Sequence, residues 1–182
     1  MRSQAKNIRL RKVGGVTDNP IVILGFRRTG TTMMAKIIRR MGIEFGHFDD
    51  EDDQHMESQF AWSFFEYGQD QKNKGIIEEI PIQLIWEKTF LRDFKGRWGI
   101  KHPRFGLVIK RWMEYFPNSK IIHMDRAWMP PKDRPIRLNE KEEFEQGLIL
   151  SKLTTSNIVP ANQLKIIAYE DFVTKPIINC QK

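Results

Sequence analysis

The stretch Ile21 to Gly42, IVILGFRRTGTTMMAKIIRRMG, decides how this chain folds. Its first four residues, Ile21, Val22, Ile23 and Leu24, form an apolar, largely β-branched run that predicts a buried strand ending at Gly25. From Thr32 the spacing turns helical. Met34, Ile37, Ile38 and Met41 recur every three or four residues, Lys36, Arg39 and Arg40 take the other face, and Gly42 suits a C-terminal cap. Strand, glycine-bearing loop and helix, in that order, aim a helix N-terminus at an anion.

The loop, Gly25-Phe-Arg-Arg-Thr-Gly30-Thr31-Thr32, has phosphate-loop spacing but carries Thr31 where a nucleotide triphosphatase carries lysine. Glycines let successive backbone N–H groups face one phosphate, while Arg28 and the hydroxyls of Thr31 and Thr32 add charge and donors. The missing lysine disfavours a β/γ-phosphate and magnesium site. A 5′-phosphate bearing one transferable substituent fits better. A tight strand-to-helix turn with exposed basic residues is the competing reading.

This loop resembles that of the sulfotransferase superfamily, which runs Pro-Arg-Ser-Gly-Thr-Thr or a close variant. Arg27, Arg28, Thr29, Gly30, Thr31 and Thr32 stand in its place, with Arg27 for the proline and Thr29 for the serine. Lys101-His102-Pro103-Arg104 is similar to a Lys-Asp-Pro-Arg segment that ends a central strand, His102 replacing the aspartate. Tyr115-Phe-Pro-Asn-Ser-Lys-Ile-Ile-His-Met-Asp-Arg126 resembles the second signature, in which a helix ends in Phe-Pro and the next strand delivers an arginine. Tyr169-Glu170-Asp171-Phe172 is similar to a late Tyr-Glu-Asp-Leu segment.

The resemblance implies 3′-phosphoadenosine 5′-phosphosulfate as co-substrate, with Arg27 to Thr32 on the 5′-phosphosulfate and Arg126 on the 3′-phosphate. The serine that usually follows this arginine is replaced by Arg134, and Lys132, Arg134 or Arg137 would compensate. Lys101, at the carboxyl end of a strand, would stabilise the charge growing on the bridging oxygen, and otherwise reads as a surface lysine beside a turn. Glu57, in His55-Met56-Glu57, is the candidate catalytic base; it also reads as a carboxylate at a helix N-terminus, and His47, His55 and Asp49 compete with it. No metal is required.

At 182 residues, with 40% hydrophobic and 29% charged residues, the chain reads as one soluble domain. No stretch has the apolar length of a membrane span and the N-terminus lacks a signal-peptide core, which leaves the cytoplasm as the expected location. One cysteine, Cys180, excludes an internal disulfide. The net charge of +7 suits a polyanionic ligand, whether nucleotide, acidic glycan or nucleic acid.

Residues 1–15 are a basic arm, read as a solvated leader, and residues 16–182 one sulfotransferase-like domain. Asp49 to Asp53 read as a solvated acidic loop. Helical spacing follows in Glu57 to Gln69, with Phe60, Phe64 and Tyr67 on one side, and in Ile76 to Phe94. A helix over Phe105 to Phe116 gathers Phe105, Val108, Ile109, Trp112 and Phe116 on one face. A strand from Lys120 to Arg126 precedes the Pro130, Pro131 and Pro135 stretch, expected to be a lid over the cofactor. Asn139 and Glu142 mark a helix start, and Leu164 to Ala168 a last strand.

Strands separated by helices predict an α/β, P-loop-containing three-layer sandwich with a central, mainly parallel sheet. The function implied is sulfuryl transfer to an acceptor hydroxyl, with a glycan as first choice of acceptor and nucleic acid disfavoured as partner. A kinase-like phosphotransferase and a non-catalytic nucleotide or nucleic-acid binding relative are the alternatives. Phe48, Phe60 and Trp128 read equally as acceptor-pocket or core residues.

Overall fold

The computed structural model describes residues 19–45, 61–67, 96–129 and 138–174. Four strands form its sheet: β1 (Ile21–Gly25), β2 (Gly99–Lys101), β3 (Lys120–Asp125) and β4 (Leu164–Ala168), in the order β2-β1-β3-β4. Every pairing is parallel. Val22 lies between Ile100 and Ile121, and Ile23 between Lys101 and Ile122, so the two-residue period of β1 sends alternate side chains to opposite faces.

One face is covered by α1 (Thr31–Arg40), with Ile23, Met34, Ala35, Ile43, Phe45 and Met124 buried between. The helix ends as Gly42 predicts. Gly42 has φ 84, its N–H donates to the Arg39 carbonyl at 2.9 Å, and the Ile43 N–H donates to the Ile38 carbonyl at 3.4 Å, a Schellman pattern. Met41, placed on the buried stripe by its spacing, is instead 66% exposed, because the chain is already turning there.

The other face carries a 3₁₀ turn (Phe105–Leu107), α2 (Ile109–Tyr115), helical residues 61–67 and α3 (Glu140–Ile158). Here the core is aromatic. Phe64, Trp98, Phe105, Trp112 and Phe116 touch edge-on or stacked at centroid distances from 4.3 to 6.1 Å. Such pairs contribute about 0.5–1.5 kcal/mol each beyond simple burial. The Trp112 indole N–H donates to Ser119 Oγ at 2.8 Å, and Ser119 donates on to the Phe116 carbonyl at 2.7 Å, so neither buried polar group is stranded.

The single helix expected over Phe105 to Phe116 is two elements. The expected apolar face survives, with Phe105, Val108, Ile109, Trp112 and Phe116 all buried, because the three-residue step from Phe105 to Val108 fits a 3₁₀ turn as well as an α-helix. Helix α3 begins after Asn139 as expected, although Asn139 sits at φ 62 and its side chain makes no capping bond. A short α4 (Tyr169–Thr174) follows β4 directly. Among the described residues no helix is long and apolar enough to cross a membrane.

Candidate functional site

The chain leaves β1 for β2 on one flank of the sheet and leaves β3 for β4 on the other. In a parallel sheet that reversal opens a crevice beyond the carboxyl ends of the two inner strands. The register there runs to Gly25 opposite Met124, which sets the loop after β1 beside Asp125 and Arg126 at the end of β3. The sheet itself therefore brings the predicted anion loop and the predicted second cation together.

Within the loop two residues take left-handed backbone, Arg28 at φ 68 and Gly30 at φ 89. For arginine that conformation costs about 1–2 kcal/mol. The loop is closed by Thr29, fully buried, whose hydroxyl donates to the Phe26 carbonyl at 2.7 Å. Arg27 and Arg28 are exposed, Thr31 is buried at the first turn of α1, and that turn carries no acidic residue to compete for an incoming anion. Phe26 anchors the loop from below, edge-on to Phe144 at 5.6 Å.

Arg126 reaches across. Its Nη1 donates to the Arg28 carbonyl at 3.0 Å and its guanidinium carbon lies 4.0 Å above the centre of the Tyr169 ring. Its Nε is buried and bonded to no group among the described residues, a charged donor with capacity for an acceptor. The backbone around it is fixed on both sides: Arg126 N–H donates to Asp125 Oδ1 at 2.9 Å, and Ala127 N–H to Glu170 Oε1 at 3.1 Å. Lys152 of α3 pairs with the other Asp125 oxygen at 2.5 Å.

Lys101 ends β2 beside Ile23, is 2% exposed, and shares the face that α1 covers. His102 falls on the opposite face, among Phe65 (stacked, 4.4 Å), Trp62 (edge-on, 4.7 Å) and Phe105. Burial, reinforced by the charges of Lys101 and Arg104, pushes its imidazole down to about 3. Because the Arg104 N–H donates to Nδ1 at 3.3 Å, the single proton of the neutral ring sits on Nε2. His102 is thus a neutral donor held in the aromatic core. A second buried histidine, His123 on β3, is pushed down to about 4 by burial, against the pull of Asp125. Ser151 Oγ donates to the Gly25 carbonyl at 3.1 Å, so the His123 Nε2–H must be the donor in its 3.1 Å contact with the same hydroxyl.

No family model and no curated protein matches the chain. Solved structures do. The sulfotransferase domain of the Synechococcus PCC 7002 olefin synthase superposes with a TM-score of 0.54 at 18% identity, over 88% of this chain and 70% of that one. A sulfotransferase from Alicyclobacillus acidocaldarius superposes with a TM-score of 0.53 at 15% identity, over 88% and 77%. The chain has the sulfotransferase fold. Within that sulfotransferase fold the crevice gathers Arg27 to Thr32 and Arg126; Lys101 stands one strand away, and Glu57 and Arg134 lie outside the described residues, as does the proline-rich stretch expected to form a lid. Sequence reasoning missed Tyr169, Asp125, His123, Ser151 and Lys152 as parts of this end of the sheet. Tyr169 had a signal in its Tyr-Glu-Asp motif, whereas the α3 pair Ser151 and Lys152 had none.

Proposed function

We propose that this chain is a sulfotransferase that takes its sulfuryl group from 3′-phosphoadenosine 5′-phosphosulfate and passes it to an acceptor hydroxyl, a glycan hydroxyl being the first to try. The observation that carries the reading is the hydrogen bond from Arg126 to the Arg28 carbonyl, which holds two arginine-bearing segments together at the carboxyl ends of β1 and β3. The Arg126 Nε, which bonds to no group among the described residues, and the first turn of α1, which carries no acidic residue, fit a doubly phosphorylated nucleotide. Arg27 to Thr32 would hold the 5′-phosphosulfate through backbone N–H groups and the α1 terminus, and Arg126 the 3′-phosphate, with Arg134 as a second cation.

The co-substrate would supply an activated sulfur, so that the acceptor oxygen forms an S–O bond as the S–O bond to the 5′-phosphate breaks. Glu57 would accept the hydroxyl proton. Lys101 would stabilise the charge left on the phosphate oxygen. Binding in one crevice places the two partners for in-line attack.

Calorimetry with 3′-phosphoadenosine 5′-phosphate, AMP and ATP tests the donor site. The 3′-phosphate is expected to tighten binding about 10–100-fold over AMP, the span of one or two charge-assisted hydrogen bonds, and Arg126→Ala to erase that gap. ATP binding as tightly as the 3′-phosphorylated nucleotide would instead assign a phosphotransferase. With an acceptor in hand, Lys101→Met should keep nucleotide affinity while turnover falls about 10²–10³-fold.

A further inference from the structure

Tyr169 opens α4 immediately after β4, and the β3–β4 register ends with Asp125 opposite Ala168, so Arg126 and Tyr169 are the next residues on each strand to meet. Their side chains stack, with the guanidinium carbon 4.0 Å from the ring centre. The edge of the same ring fills the space beside Gly30. A Cβ built on Gly30 would lie 2.5 Å from Tyr169 Cδ2 and 3.1 Å from Cε2. One ring therefore touches the loop on its edge and Arg126 on its face. The guanidinium is closed in by the Arg28 carbonyl at 3.0 Å and by Met129 Sδ at 2.7 Å.

We infer that Tyr169 is a positioning residue that locks Arg126 against the loop, setting the 3′-phosphate ligand and the 5′-phosphosulfate loop at a fixed separation. An arginine side chain free in solvent samples many rotamers and loses that freedom on gripping a phosphate; here the ring face and the Arg28 carbonyl have already removed most of it. The discrimination between nucleotides with and without a 3′-phosphate then depends on a residue that need not touch that phosphate. This rests on Arg126 being the 3′-phosphate ligand.

The test compares 3′-phosphoadenosine 5′-phosphate with AMP by calorimetry on the parent, Tyr169→Phe and Tyr169→Leu, each alone and with Arg126→Ala. Tyr169→Phe keeps the ring and should hold the affinity ratio within about twofold, whereas Tyr169→Leu should lower it about tenfold, the scale of a lost cation–π contact. In the Arg126→Ala background Tyr169→Leu should leave the affinity for each nucleotide, and hence the ratio, unchanged. A ratio preserved in Tyr169→Leu, or an equal further loss of both nucleotides in the Arg126→Ala background, overturns the inference, the latter because it marks direct contact with the nucleoside. If Tyr169→Leu does not fold, Tyr169→Met supplies the comparison. A second readout needs no nucleotide: the Arg126 Nε–H proton resonance should carry a ring-current shift that Tyr169→Phe retains and Tyr169→Leu removes. An unmoved resonance overturns the inference whatever the parent binds. A parent that shows the shift but no 3′-phosphate preference overturns the proposed function and this inference with it.

Discussion

His102 and His123 are both buried and neutral in the native chain, pushed down to about 3 and about 4 from an ordinary 6.5. Below pH 6.5 the unfolded chain takes up protons that the native chain refuses, so stability present at neutral pH is lost as pH falls toward those native values. Each histidine accounts for up to about 2 kcal/mol between pH 7 and pH 5. Thermal unfolding should show Tm falling over that range, and His123→Gln should flatten the fall by about half; a Tm independent of pH between 7 and 5 would contradict the burial of both rings. Gly30→Ala acts at the same scale. It forces a side chain onto φ 89 and into the Tyr169 ring, for a loss of about 1–3 kcal/mol readable as a lower Tm, with nucleotide binding falling alongside. The first of these was partly legible in the sequence, where His102 stands in place of an aspartate. Its burial in an aromatic cage was not, because Trp62 and Phe65 reach it from a distant segment.

Helix α3 shows what a sequence pattern hides. Its inner side is lined by Gly147, Ser151 and Thr155 at four-residue spacing, and its apolar Ile149, Leu150 and Leu153 face outward at 56–60% exposure. Hydrophobic periodicity points the wrong way for such a helix, since small residues let it approach the sheet closely and let Ser151 bond to the Gly25 carbonyl. By contrast β1, the loop and α1 follow their letters, because local periodicity and a C-terminal glycine decide them without help from distant residues. Gly147→Ala separates the two effects. Glycine to alanine inside a helix ordinarily adds about 1 kcal/mol of stability, but a Cβ here lies 2.4 Å from the Phe26 ring. The ring must move, and with it the loop it anchors, so Tm should change little while nucleotide affinity drops several-fold. A gain in Tm with unchanged affinity would show that Phe26 does not hold the loop.

The molecule as a whole places β1 inside the sheet, flanked by β2 and β3, with the loop at its end. The sequence disclosed the strands and the order in which they occur but not which neighbours they take, and it is the neighbour relation that brings Arg28 to Arg126 and Arg126 to Tyr169. A ligand bridging these pieces should stabilise all of them together. At one hundred times its Kd, 3′-phosphoadenosine 5′-phosphate should add about 2.7 kcal/mol and raise Tm by roughly 5–10 °C, with much less for Arg126→Ala at the same concentration. The contacts that make the crevice join residues 98 positions apart at Arg28 and Arg126, and 126 apart at Gly25 and Ser151. Closing such long stretches of chain is slow, and parallel pairing cannot be reached through hairpins. In refolding, then, a competent nucleotide site should be the last property to return: helical signal recovers first, and binding appears only in the slowest phase, when β4 has docked and Tyr169 arrives beneath the arginine.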